Sequence, residues 1–549
     1  MNKLPIIEKA DNNHGMRFGA GTNRAPSLSI FLILAGGLFL ILTVRLFQLT
    51  IVKGSYYRRL SEENRIKEVV IEAKRGVILD RKGVVISSSN DPVAGVVKDR
   101  FISSRVVASG GAVGHVLGYM QIADSNELKN DLCLNKLRLG DSTGKKGVEK
   151  LYECELRGIN GRKLLELNAQ GEPLKTLSQI EPVDGQTVQL SVDQKLQERT
   201  HELFSQNISS QSAVFPKQEL LDKAAVVALE PKTGRTLLLY SNPTFDPNDF
   251  NVKNPEQVNS YLKDKNKPLF NRVTEGAYPP GSIFKLVIAA GALEEKAMKP
   301  DTIIEDTGQI TAGPIKFGNW YFLQYGKTEG EVDMVKAIKR SNDIYFYRAG
   351  ERLGVTHIKT WAEKFGFGKI TKLPFLQSEG LIPSPFWKEE ILKEKWYLGD
   401  TYNLSIGQGY MLTTPIQIAQ STAVFANGGN LCSPLLRQND KPNCSKMPIS
   451  NLTLQTIREG MRQACDTGGT GWPFFDFTVK NKKISVGCKT GTAESHGVGK
   501  PEPHAWFTVF APFDNPEIVL TILVENGGEG STVAAPIAKE LLTTYFEGN

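Results

Sequence analysis

The chain has 549 residues, 40% of them hydrophobic, which is enough for about three or four domains with sizeable cores. Its 66 Lys and Arg residues against 59 Asp and Glu residues give a net charge of +7 without a basic stripe interleaved with aromatic residues, which excludes nucleic acid as a partner. The six histidines have no metal-ligand spacing and no nucleotide-binding loop is present, so we expect no cofactor and no metal.

One segment near the N-terminus is apolar enough to cross a membrane. Leu28 to Val44 contains two polar residues, Ser29 and Thr43, and Leu46-Phe47 extend it toward the roughly 20 residues that a span needs. A cleaved signal peptide is the alternative, but the long polar region before the segment and the lack of a small-x-small site after Val44 disfavour it. The local positive-inside rule does not favour a cytoplasmic N-terminus, because basic residues stand on both sides: Arg17 and Arg24 before, and Arg45, Lys53, Arg58 and Arg59 after.

Chain order then predicts four regions. Residues 1–26 form a polar tail, 27–48 a transmembrane anchor, 49–190 an irregular β-rich region, and 191–549 the largest domain. A multidomain α/β protein follows from this division.

The largest domain is predicted to contain a five-stranded antiparallel sheet flanked by helices. An apolar hairpin at 224–240 is expected to pair with three late apolar runs, Ile484–Ala493, His504–Ala511 and Ile518–Val524. Helix Thr532–Phe546 would cover one face of this sheet.

The segment around Ser282 is the strongest candidate for chemistry. After the chain-breaking Pro279-Pro280-Gly281, the run Ile283 to Leu293 is apolar or small except for Lys285, which predicts a buried helix with Ser282 at its N-terminus. Lys285 lies one helical turn from Ser282, and its apolar neighbours should lower its pKa toward that of a useful base. The other Ser-x-x-Lys matches, Ser142/Lys145 and Ser260/Lys263, lie in polar surroundings and indicate surface positions.

A second candidate is Lys489-Thr490-Gly491-Thr492, which falls in an extended run. A glycine inside a strand often marks close approach by another backbone, and a peptide ligand could lie along such an edge with its carboxylate near Lys489. An ordinary strand with a bulge is the alternative. The other Lys-Thr-Gly match, Lys232 to Gly234, joins two apolar runs and indicates a hairpin turn.

The segment Ser341-Asn342-Asp343 is the least specific of the three. It is a polar turn before an aromatic helix start, so Ser341 or Asp343 could equally be a helix N-cap.

These three elements, in this order, resemble the penicillin-binding protein and serine β-lactamase superfamily. Two further segments, Arg75–Gly83 and Gly147–Glu153, resemble class B penicillin-binding proteins. Three others resemble the elongation type, penicillin-binding protein 2, most of all: Tyr278–Ser282, Ser405–Tyr410 and Val524–Gly528. Asp343, where division-type relatives usually have Asn, indicates the same group. The resemblance implies a pedestal domain at 49–190, a helical subdomain beside the predicted sheet, and a transpeptidase domain at 191–549.

The resemblance also implies a reaction. Lys285 would deprotonate Ser282, which would attack the penultimate D-Ala of a peptidoglycan stem peptide, with the amides of Ser282 and Thr492 as the oxyanion hole. Ser341 and Asp343 would relay the proton, while Lys489, Thr490, Gly491 and Thr492 would bind the terminal carboxylate. An amine from a second stem would then resolve the ester into a cross-link, and β-lactams would acylate Ser282.

Location and partners also follow from the resemblance alone. It implies a cytoplasmic N-terminus, a single-pass anchor in the inner membrane, a periplasmic catalytic domain, and work beside a RodA-like glycosyltransferase and other wall-elongation proteins in maintaining cell shape. One departure weakens the expectation of partners: the chain between Asn90 and His115 is far shorter than usual. Alternative functions are a D,D-carboxypeptidase, a β-lactamase, and a non-catalytic β-lactam-binding scaffold or sensor.

Six cysteines permit disulfides outside the cytoplasm without requiring them. Cys432 and Cys444 bracket a Pro-containing loop and are the first candidate pair, and Cys133 and Cys154 are the second. Cys488 is interpreted as a small packed residue beside the site.

Overall fold

The computed structural model describes residues 28–63, 65–94, 100–168, 170–205, 221–250, 254–494 and 502–548. The predicted tail, 1–26, lies outside these ranges. By its internal contacts the chain divides into two units, one formed by residues 1–69 and 163–179 and the other by 70–162 and 180–549.

The first unit contains the predicted anchor. Helix Leu28–Phe47 continues through a π-helical turn, Gln48–Val52, into helix Gly54–Glu63. Residues 30–52 are long and apolar enough to cross a membrane, and the most apolar window of this stretch buries none of its residues. Within the predicted span, the described residues Leu28–Phe47 form a continuous apolar helix. In the same unit, strand Gly161–Leu167 lies between Ile66–Ile71 and Pro173–Ile180.

The second unit begins with short strands and helices. Val188–Gln189 pairs in parallel with Ile78–Leu79, and Val85–Ser89 links that strand to Arg105–Val107. Its remaining early strands are Val93–Ala94, Arg100–Ile102, Met120–Ile122 and Ser142–Gly144, and its early helices are Gly114–Leu117, Ser125–Lys129, Gly147–Leu151 and Glu153–Leu156. The β-rich, irregular character predicted for this region agrees with these bounds.

A five-stranded antiparallel sheet forms the centre of the second unit. Its strand order is Thr236–Asn242, Ala224–Leu229, Ile518–Val524, His504–Ala511 and Gly487–Ala493, which places the last strand at an edge. The prediction is confirmed, except that the edge strand begins at Gly487 rather than Ile484.

Both faces of this sheet are covered, which is why its strands read as continuous apolar runs. Since side chains alternate along a strand, Ala224 and Val226 face one layer and Ala225 and Val227 the other. The first layer includes helices Gln194–Ser205 and Ala535–Gly548, the second of which begins three residues later than predicted and follows a π turn, Gly530–Ala534.

The layer on the other face is largely helical and carries most of the candidate residues. Its helices are Lys285–Glu294, Met334–Arg340, Asp343–Leu353, Val355–Lys364, Leu398–Ser405, Pro415–Ala426 and Asn451–Ala464. Shorter elements complete the domain: helices Pro255–Lys263, Trp320–Tyr325 and Pro385–Trp387, and strands Ile304–Asp306, Gln309–Ala312, Ile315–Gly318, Gly330–Val332, Asn430–Cys432, Cys444–Lys446, Thr478–Val479 and Lys482–Lys483.

Candidate active site

Ser282 lies in a tight turn packed against the edge strand. The turn is a 3₁₀ helix, Gly281–Ile283, and the α-helix that follows begins at Lys285, slightly later than the sequence predicts. Gly281 has a φ of 54° and donates its amide to Gly407 O at 2.9 Å. A Cβ at Gly281 would stand 2.7 Å from Thr492 O, so only glycine allows the serine turn to approach the edge strand this closely.

Lys285 is buried at the start of the helix behind this turn. Its ammonium donates to Asp343 Oδ1 at 2.7 Å, to Ser341 O at 2.8 Å and to Ser341 Oγ at 3.3 Å. Burial lowers the pKa of Lys285, as predicted, and the Asp343 carboxylate opposes this shift. The ammonium group of Lys285 is therefore fixed by three acceptors: a carboxylate, a backbone carbonyl and a serine hydroxyl.

Ser341-Asn342-Asp343 forms the junction between helices Met334–Arg340 and Asp343–Leu353. Asn342 caps the second helix by accepting from the amide of Tyr345 at 2.9 Å, so neither Ser341 nor Asp343 is the cap. Ser341 adopts the left-handed conformation with a φ of 54°, which is uncommon for a residue with a side chain. Ser341 is the left-handed C-cap that ends helix Met334–Arg340.

The edge strand contributes a second buried lysine. Lys489 Nζ donates to Ser341 Oγ at 2.9 Å and to the Thr490 carbonyl at 2.9 Å. Burial, and then the neighbouring charge of Lys285, hold the pKa of Lys489 well below its ordinary value. The Ser341 hydroxyl thus lies between two lysine amines, one from the helical layer and one from the sheet.

The remaining residues of the edge strand have separate roles. Thr490 Oγ1 donates to Thr470 Oγ1 at 2.8 Å, whereas the side chain of Thr492 is exposed and its carbonyl accepts from Gln408 Nε2 at 3.3 Å. The amide of Thr492 points to the same open edge as its carbonyl, since both groups of one residue lie on the same side of a strand.

Gly491 allows a close approach, as its position in a strand predicts. A Cβ there would lie 3.1 Å from Ile283 Cγ1 and 2.9 Å from Trp506 Cβ, so the approach is made by the serine turn and the neighbouring strand. Ser282, Lys285, Ser341, Asp343 and Lys489–Thr492 are therefore assembled around one edge of the sheet.

A disulfide not predicted from the sequence lies directly behind the edge strand. Cys488 is bonded to Cys465, which follows helix Asn451–Ala464, so its interpretation as a small packed residue is wrong. The bond ties the strand to the loop that carries Thr470. The two pairs that were candidates, Cys432–Cys444 and Cys133–Cys154, are both disulfides.

The other motif matches lie in unrelated surroundings. Ser142 is in the short strand Ser142–Gly144, and Lys145, just after this strand, forms an ion pair with Glu127. Ser260 lies on the exposed helix Pro255–Lys263. Lys232 to Gly234 forms the turn of the central hairpin. Within the described ranges, no group of His, Cys, Asp and Glu could hold a metal ion.

Three further residues contribute contacts for which the sequence predicted no role: Gln408, Thr470 and Asn342. Gln408 and Asn342 lie within segments already singled out, whereas no spacing rule links Thr470 to the edge strand. The local signal that could have found Asn342 is its position two residues after Arg340, just before an apolar-aromatic helix, where Asn is a favoured cap.

Comparison with protein-family models finds the penicillin-binding protein transpeptidase domain over residues 224–543 and the penicillin-binding protein dimerisation domain over residues 93–190. The chain belongs to the penicillin-binding protein transpeptidase family. It is 31% identical over 470 residues to the peptidoglycan D,D-transpeptidase MrdA of Haemophilus influenzae, covering 80% of this chain and 68% of the relative.

Solved structures give the same assignment. The PBP2 of Pseudomonas aeruginosa in complex with WCK 5153 matches with a TM-score of 0.72 and 30% identity, over 87% of this chain and 96% of that one. The PBP2 of Helicobacter pylori in complex with MreC matches with a TM-score of 0.72 and 26% identity, over 88% and 99%. The resemblance to the elongation-type group is thereby confirmed.

Proposed function

We propose that this protein cross-links peptidoglycan as a D,D-transpeptidase through a covalent ester on Ser282. One observation carries the proposal: two buried lysine amines meet at the Ser341 hydroxyl, and one of them, Lys285, begins the helix that follows the turn of Ser282. Such an arrangement can accept a proton from one hydroxyl and pass it to a leaving amine.

In the first half of the reaction, neutral Lys285 takes the proton of Ser282. Ser282 Oγ forms a bond to the carbonyl carbon of the penultimate D-Ala. The bond from that carbon to the nitrogen of the terminal D-Ala breaks, and the proton passes through Ser341 Oγ to this nitrogen. The amides of Ser282 and Thr492 receive the oxyanion, and loss of one such donor costs about 3 kcal/mol of transition-state stabilisation. Asp343 holds Lys285 in place at 2.7 Å.

In the second half, an amine from another stem peptide forms the new amide bond and Ser282 leaves with a returned proton. The terminal carboxylate of the donor lies near Lys489, Thr490 and Thr492. Because burial favours neutral Lys489, an arriving carboxylate would raise its pKa and draw a proton onto it. Penicillins, which resemble D-Ala-D-Ala, would acylate Ser282 in place of the stem.

The proposed location is the inner membrane, with 27–48 as its anchor, a cytoplasmic tail at 1–26, a pedestal at 49–190 and a periplasmic transpeptidase domain at 191–549. Three disulfides favour an oxidising compartment for the large unit. Its proposed partners are a RodA-like glycosyltransferase and other wall-elongation proteins; the H. pylori relative has been solved with MreC.

The test is product analysis with the purified full-length protein, a stem pentapeptide donor and an amine acceptor. We expect cross-linked peptide as the main product, and loss of it in Ser282→Ala. The matched control is Ser260→Ala, which alters the Ser-x-x-Lys pair on an exposed helix and should retain activity. Tetrapeptide alone would indicate a carboxypeptidase, and activity retained in Ser282→Ala would refute the nucleophile.

A further inference from the structure

Asp306 is a buried carboxylate that no step above uses. It ends the short strand Ile304–Asp306 and accepts four hydrogen bonds from neutral groups. Oδ1 accepts from the amide of Gly308 at 2.8 Å. Oδ2 accepts from Asn319 Nδ2 at 2.7 Å, Asn342 Nδ2 at 2.9 Å and the amide of Glu329 at 3.0 Å.

Two of these donors lead directly to Asp343. Asn319 Oδ1 accepts from the amide of Asp343 at 3.0 Å. Asn342 Oδ1 accepts from the amide of Tyr345 at 2.9 Å, which caps the helix that begins at Asp343. The amide of Trp320, the residue after Asn319, donates to Asp343 Oδ2 at 2.9 Å. The remaining oxygen, Oδ1, faces Lys285.

A carboxylate at position 306 decides which way both asparagine amides face. An ionised carboxylate only accepts, so Asn319 and Asn342 must turn their NH₂ groups toward Asp306. Their carbonyl oxygens are then left to receive the backbone amides of Asp343 and Tyr345. A residue without a side-chain acceptor would not impose this orientation, and hydrogen bonds to a charged acceptor are stronger than neutral ones.

We propose that Asp306 is a positioning residue for the reaction: through Asn319 and Asn342 it fixes the start of helix Asp343–Leu353, and so aims Asp343 Oδ1 at Lys285. This inference rests on the proposed roles of Ser282 and Lys285. Among the described residues, two ionisable groups face Lys285. Asp343 comes from helix Asp343–Leu353, and Lys489 comes from the edge strand. Glu329, whose backbone contacts Asp306, has its side chain paired with Arg340 at 2.7 Å.

The test compares Asp306→Ala, Asp306→Asn and a control, Asp193→Ala, in the full-length protein. Asp193 is also a buried carboxylate near a helix start, where it accepts from the amide of Leu196 at 3.3 Å. The measurement is the acylation rate by fluorescent penicillin as a function of pH, normalised to the number of molecules that label at saturation, together with thermal unfolding.

We expect Asp306→Ala to slow acylation by about 100-fold, the effect of misplacing a catalytic group by about 1 Å. The acylation rate of this variant should also fall off at a lower pH on the acid side of its pH profile (the acid limb). The reason is that Lys285 loses the aligned carboxylate that favours the protonated form of the lysine. Asp306→Asn should retain most activity, within about tenfold of wild type, since a flipped amide keeps its oxygen toward three donors and loses one hydrogen bond. Asp193→Ala should leave both rate and acid limb unchanged.

An Asp306→Ala protein with the wild-type rate and acid limb per active molecule would overturn the inference, and so would Asp306→Asn acting as severely as Asp306→Ala. If Asp306→Ala does not fold, Asn319→Ala replaces it, because that change removes only the link to Asp343; an unmoved acid limb there would also overturn it. Ser282→Ala in the same assay tests the underlying function separately, since labelling retained in that variant would contradict the nucleophile whatever Asp306 does.

Discussion

Two buried charged clusters among the described residues of the second unit are built from different cations. The pedestal cluster consists of three arginines and three carboxylates: Arg75, Arg105, Arg157, Asp131, Glu149 and Glu153. The active-site cluster consists of two lysines and one carboxylate: Lys285, Lys489 and Asp343. If every group were ionised, the positive and negative charges of the pedestal cluster would be equal in number. The active-site cluster would then carry one more positive charge than negative charges.

The difference in chemistry follows from this composition. Although burial alone would raise it, Arg75 and Arg105 hold the pKa of Glu149 below its usual range, so the pedestal cluster stays ionised. An arginine does not lose its proton in a protein and binds carboxylates through a rigid fork. A lysine shifts its pKa readily when buried, as Lys285 and Lys489 do. The pedestal cluster is suited to rigidity and the active-site cluster to proton transfer.

The largest expected effect comes from exchanging the cation in each cluster. Lys285→Arg should slow penicillin acylation by about 10³-fold, because a guanidinium cannot act as a general base. Arg75→Lys should lower the free energy of unfolding by about 2 kcal/mol through lost charged hydrogen bonds, while the acylation rate per folded molecule stays the same. Stopped-flow labelling and denaturant titration measure the two quantities. If Lys285→Arg remained fully reactive, the comparison would be wrong.

A smaller effect should follow from neutralising the single carboxylate of the active-site cluster. Lys285 must be neutral to accept a proton, and Asp343 favours its charged form. Asp343→Asn should therefore move the acid limb of the acylation rate to lower pH, while lowering the maximal rate because the lysine is less well held. A pH series of acylation rates checks this, and a limb that moved to higher pH would contradict the assigned coupling. Glu155→Gln, which alters a half-buried pair with Arg437 in the predicted pedestal region, is the control.

The smallest expected effect separates two disulfides of similar span. Cys133–Cys154 in the pedestal and Cys465–Cys488 behind the edge strand close 21 and 23 residues of sequence. Replacing either pair by alanine should lower stability by about 3 kcal/mol. Only the second pair ties Lys489 and Thr490 to the Thr470 loop, so only its removal should slow acylation, by about tenfold for one weakened hydrogen bond. Equal acylation rates in the two double variants would exclude this role.

Much of the fold and site followed from local patterns. Apolar runs predicted all five strands of the central sheet, because strands covered on both faces need continuous apolar sequence. The order of the three motifs, and the surroundings of Ser282 and Lys489, separated them from the copies at Ser142, Ser260 and Lys232.

What could not be predicted depends on contacts between distant segments. Six cysteines allow many pairings, and nothing local joins Cys465 to Cys488. Asp306, Asn319 and Asn342 are common polar residues at separate positions, and only the folded chain brings them to one carboxylate. The left-handed conformation of Ser341 likewise results from its position between two helices rather than from its residue type.

The most direct test of the central claim is to locate a penicillin adduct on the full-length protein by mass spectrometry of its peptides. The reactive hydroxyl is assigned to Ser282, so we predict one adduct per chain, on the peptide that contains Ser282, and none in Ser282→Ala. An adduct on Ser341, on Ser260 or on any other side chain would contradict the assignment.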